Sequence, residues 1–150
     1  MAWVVPPALE DALYAATRAV VGDAPLATAA LTRAIVDRSQ RYTSDRARLA
    51  SPSDRTGDLA ARAVFFTVAD AMKIAIPLAE LGNRDALPER RPLRVVDLGA
   101  GCGAMSLGLS TMVDELELLA IDRDAAALGI AAAALRTFAP RSASAPRVNR

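Results

Sequence analysis

The chain has no histidine, a single cysteine (Cys102) and a single lysine (Lys73) among its 150 residues. Without histidine, neither a Ser-His-Asp triad nor a Cys/His zinc site can be assembled, and no metal site is expected. A lone cysteine excludes an internal disulfide. Aromatic residues make up only 4%, so the core has to come from the Ala, Leu, Val and Ile that dominate the 53% apolar content. No uninterrupted apolar run reaches the ~18 residues of a membrane span, and Glu10 and Asp11 fall where a secretory signal would be apolar. These absences point to a soluble protein of the reducing cytoplasm, with no membrane contact. A net charge of +1 provides no global basic field, so any nucleic-acid contact has to be local. The length suits one domain with a real core.

What is present begins with helical periodicity. Leu9, Leu13, Ala16 and Val20 predict a helix over 8–21, entered through Pro6-Pro7 and ended by Gly22. A second helix is expected over 26–36. The stretch 41–57 is polar and reads as a linker, its Arg41 to Arg55 charge run as a solvated loop, with phosphate binding as the minority reading. Residues 58–81 form the longest helical pattern, with Asp58 placed to cap it and Pro77 placed to kink or break it near Lys73. From Leu93 the period changes. Leu93 to Leu98 reads as a short strand covered on both faces, 102–112 as a helix, 115–121 as a second strand and 124–138 as an alanine-rich helix. That β-α-β-α order implies parallel strands. The domain reading is a helical region over 1–92, an α/β unit over 93–138 and a disordered tail over 139–150.

The most informative residues join the first strand to its helix. Asp97, Gly99, Ala100, Gly101 and Gly103 place a carboxylate at a strand end, followed by a glycine-rich turn whose backbone a ligand can approach with no Cβ in the way. The second strand ends in Asp122, 25 positions after Asp97. An acid there can accept bonds from both hydroxyls of a ribose; Asp124 is the fallback, or else the cap of the next helix. The Asp-x-Gly-x-Gly-x-Gly order resembles the first motif of the class I S-adenosylmethionine-dependent methyltransferases. The resemblance implies a Rossmann-like fold with S-adenosylmethionine as cofactor, held by Asp97, Gly99, Ala100, Gly101, Gly103 and Asp122. It implies methyl transfer to an acceptor that the motif does not name.

In that family the adenine contacts and catalytic groups follow later strands. The chain thus reads as a fragment with about two parallel strands behind a helical N-terminal region, with no catalytic residue of its own. Such a fragment is expected to leave a sheet edge open to self-association. The polar Arg41-Tyr42-Thr43 segment, the run Asp58 to Ala63 and the Asp97 motif are similar to bacterial relatives of the mitochondrial small-ribosomal-subunit methyltransferase-like proteins, which implies ribosomal RNA as one acceptor. Two alternatives stay open. One is a non-catalytic cofactor-binding or ribosome-assembly module. The other is an NAD(P)-binding Rossmann protein, because Gly99, Gly101 and Ala104 also satisfy G-x-G-x-x-G/A. Phe65, Phe66, Met72 and Met105 read as core packing, and Cys102 as a small residue tolerated in the turn, with no base to activate it.

Overall fold

The structure, a computed structural model, describes residues 4–49, 52–138 and 147–148, the last pair as backbone only. Helix α1 (Pro7–Val21) buries Leu9, Leu13 and Ala16 as its spacing predicts. Helix α2 runs from Thr28 to Ser44, well past the expected end at Val36. Its extra turns carry Arg38 and Arg41, whose guanidiniums reach a carboxylate on the next element, and tertiary ion pairing overrides the weak local pattern. The expected linker 41–57 is therefore helical at both ends, since α3 (Arg55–Ala61) begins before it is over. Asp54, not Asp58, caps α3: its side chain accepts from the Gly57 N–H at 2.8 Å.

Helicity continues without a break from α3 to Asn83, but the winding changes twice. Residues Arg62–Thr67 form a π-helical turn, followed by α4 (Val68–Ala71), a tight 3₁₀ turn over Met72–Ile74 and α5 (Ala75–Asn83). The 3₁₀ turn lies where Pro77 cannot donate to the Lys73 carbonyl; the winding tightens near Lys73, but the helix is not broken there.

Strand β1 (Leu93–Leu98), helix α6 (Ala104–Ser110), strand β2 (Leu116–Ile121) and helix α7 (Ala125–Phe138) complete the expected β-α-β-α order. The strands pair in parallel, Leu93 opposite Leu116 through Leu98 opposite Ile121. Arg147 and Val148 add a short third strand, β3, parallel to β2 opposite Leu119 and Ala120. The tail thus carries two strand residues that its composition did not announce, paired to β2; the rest of 139–150 lies outside the described residues.

One face of the sheet enters the core. Leu118 and Ala120 pack with Leu9 and Leu13 of α1 and with Leu128 and Ile130 of α7, and Val95 lies against them. The other face meets solvent: Val96 is 58% exposed and Leu98 75%. The expectation that β1 is covered on both faces is corrected here, because every second side chain points away from α1 and α7. The helical half is locked to the strand half at Gly108 of α6. A Cβ at that position would lie 1.8 Å from the Ala71 carbonyl oxygen, so α4 and α6 meet at backbone distance.

Candidate functional site

The chain leaves β1 through a turn in which three glycines have positive φ: Gly99 at 75°, Gly101 at 55° and Gly103 at 85°. An L side chain is strained at each. Their surroundings nevertheless differ. At Gly99 a Cβ would meet nothing within 4 Å, so that side of the turn is open space. At Gly103 a Cβ would lie 2.8 Å from the Cβ of Ala131, so this glycine lets α6 start against α7.

The turn's amides point inward. Gly99 and Ala100 both donate to the Ile121 carbonyl, at 2.8 and 3.1 Å, and Gly101 donates to Asp122 Oδ2 at 2.8 Å. The other Asp122 oxygen accepts the Asp124 N–H at 2.8 Å. Asp122 therefore staples the turn to the end of β2, and each of its oxygens keeps one lone pair. Asp124 is the helix cap: its Oδ1 accepts the Ala127 N–H at 3.1 Å. Asp97 lies behind the turn and accepts from the hydroxyl of Ser106, which is 1% exposed.

A cavity of about 650 Å³ opens in front of the turn, with Gly99, Ala100, Gly101, Cys102 and Asp122 on one wall. Asp97 and Gly103 support that wall from behind. The opposite wall belongs to the helical half: Arg38 and Tyr42 from α2, and Arg62, Phe65 and Phe66 from the π turn. Phe65 is 45% exposed and meets Phe66 edge to face at 5.1 Å, so these two rings face the cavity instead of filling the core. The π turn is responsible, since widening one turn rotates the following side chains off the buried stripe.

Three arginines hold this wall. Arg62 Nη1 donates to Asp124 Oδ2 at 2.6 Å and spans the two halves, and its Nη2 would lie 3.5 Å from a Cβ at Gly101. Burial by itself would lift the Asp124 carboxyl, but the Ala127 N–H and the Arg62 guanidinium outweigh it and hold the group below the usual carboxylate range. Burial also disfavours the Arg62 cation, and the bond to Asp124 more than restores it. Behind Arg62, Asp58 accepts from Arg38 Nη1 at 2.8 Å and from Arg41 Nη2 at 2.6 Å, all three side chains at most 12% exposed. Arg38 also lies 5.1 Å from the Tyr42 ring centre, within cation–π range. Cys102, 3% exposed, is an inert thiol: burial is the main cause that pushes its pKa up to about 11.

The sequence reading brought together one wall and missed the other. Arg62 carried no local signal, because its partner lies 62 positions away.

Residues 84–146 match the family model of the methyltransferase small domain. No curated protein and no solved structure matches the chain. The matched segment holds β1, the glycine turn, β2 and Asp122, and it supports a methyltransferase family for this α/β unit behind its helical region. Among the described residues no His/Cys/Asp/Glu group is suited to a metal ion, and no helix is long and apolar enough to cross a membrane.

Proposed function

We propose that the cavity in front of the glycine turn binds S-adenosylmethionine and that the chain takes part in methyl transfer. One observation carries the reading. The turn with three positive-φ glycines and the acid ending the neighbouring parallel strand border one cavity at the C-terminal end of the sheet, the place where open α/β sheets hold their ligands. The fit is favourable. The cavity volume lies within the usual range for ligand sites, and the side of Gly99 that a Cβ would occupy is free.

Gly99, Ala100 and Gly101 would hold the cofactor by close backbone approach, and the spare lone pairs of Asp122 would accept from the ribose. Asp97, through Ser106, and Gly103, through Ala131, keep the turn in shape. Phe65 and Phe66 offer an apolar rim that excludes water. When bound, the cofactor supplies an electrophilic methyl group, and the protein's part is to position it against an acceptor.

Calorimetry with S-adenosylhomocysteine tests the site. Binding that is lost in a folded Gly101→Val variant supports it; no binding to the wild type, or binding of NADH in its place, overturns it. Methyl transfer assayed on ribosomal RNA and on a metabolite panel then separates an enzyme from a non-catalytic cofactor-binding module.

A further inference from the structure

A second cavity of about 830 Å³ adjoins the first, sharing Arg38, Arg62 and Asp122 with it. Its charge is unlike that of the chain as a whole. Asp58 and Asp124 are already paired with Arg38 and Arg62. Three further arginines line it: Arg46, Arg55 and Arg123. Among the described residues none of these three has a carboxylate within ion-pair distance, although nine other basic–acidic pairs form in the same molecule. Asp122, whose oxygens take backbone N–H groups, is the one acid in the cavity without a cationic partner. A chain of net charge +1 thus gathers an excess of positive charge at one concave surface.

The three guanidiniums come from separate places in the sequence: the 3₁₀ turn at Arg46–Arg48, the first residue of α3, and the loop between β2 and α7. Only the tertiary structure brings them together, all three at exposed positions around one concave surface. Guanidinium forks suit oxyanions, phosphate above all. S-adenosylmethionine carries no phosphate, so the proposed cofactor does not account for them.

We propose that this cavity seats a phosphate group of the methyl acceptor, with Arg46, Arg55 and Arg123 as its ligands. The acceptor is then a phosphorylated compound that enters the cofactor cavity past Asp122. This deepens the proposed function and rests on that reading for the word acceptor; the phosphate site itself does not depend on it. The phosphate belongs either to a phosphodiester strand or to a small phosphate monoester.

The test measures binding of a short single-stranded RNA and of ribose 5-phosphate to the full chain at low salt, by fluorescence anisotropy and calorimetry. Wild type is compared with Arg46→Gln/Arg55→Gln and with Arg123→Gln, and S-adenosylhomocysteine binding is measured alongside. Binding of either ligand is expected, weakened about tenfold or more in the double variant with a shallower salt dependence. Affinity for S-adenosylhomocysteine should stay within about twofold, since Arg46 and Arg55 do not line the cofactor cavity. RNA binding alone assigns the phosphodiester; binding of ribose 5-phosphate as well assigns the monoester. All three substitutions are at exposed positions, and circular dichroism verifies that the variants fold. If neither ligand binds the wild type, or the double variant binds as wild type does, the proposal falls. A phosphate effect without S-adenosylhomocysteine binding keeps this site and discards the cofactor reading.

Discussion

The two walls of the cofactor cavity are built on different principles. The glycine-turn wall is made of backbone: positive-φ residues, amides aimed at the Ile121 carbonyl, and one carboxylate closing the loop. The helical wall is made of long side chains, held by Asp58 between Arg38 and Arg41 and by Arg62 on Asp124. A backbone wall keeps its shape through local geometry and changes little when a distant residue is replaced. A wall of buried ion pairs depends on every partner, because a guanidinium left alone in a low-dielectric interior is costly.

The largest expected effect is on the helical wall. Asp58→Ala strips the shared acceptor from two largely buried arginines and should cost about 3–5 kcal/mol of stability in urea unfolding. A loss under about 1 kcal/mol would mean that solvent reaches those guanidiniums and that the contrast between the walls is overstated. Next comes the joint between the halves. Gly108→Ala places a Cβ against the Ala71 carbonyl and should cost roughly 1–3 kcal/mol, because backbone has to move.

The turn wall gives effects of similar size that fall on binding and not on stability. Asp122→Ala should weaken S-adenosylhomocysteine binding by about 1–3 kcal/mol, and Asp124→Ala by much less, since Asp124 serves α7 and Arg62. The reverse order would move the ribose contact by two residues.

The smallest effect is in the acid limb of stability. The Asp124 carboxyl is held below its unfolded value, so its contribution is complete above about pH 4 and disappears as pH falls through the lower folded value. Asp124→Asn should flatten that limb in pH-dependent urea melts. Cys102 adds a kinetic check: a thiol with a pKa near 11 and 3% exposure should react with Ellman's reagent at neutral pH only on unfolding.

How far each region could be read follows from the same contrast. The bounds of β1, the turn and Asp122 were legible because strand period, glycine and a terminal acid are local signals. The end of α2 was not, since Arg38 and Arg41 are stabilised by a carboxylate 20 and 17 positions on. Phe65 and Phe66 looked like core residues in an apolar stripe, and the π turn that swings them to the cavity has no signature in residue type. The capping role of Asp54 was hidden in a stretch that read as linker.

By itself the sequence determined the α/β order, the glycine turn and the acid at the end of β2, because those depend on backbone conformations and residue patterns that are set within a few positions. Only the tertiary structure decided that the helical half forms the second wall, that Arg62 bridges to Asp124, and that Arg46, Arg55 and Arg123 share a cavity. Those outcomes depend on charges and surfaces meeting across long sequence separations, where the pairing energy comes from burial and geometry that no local pattern encodes.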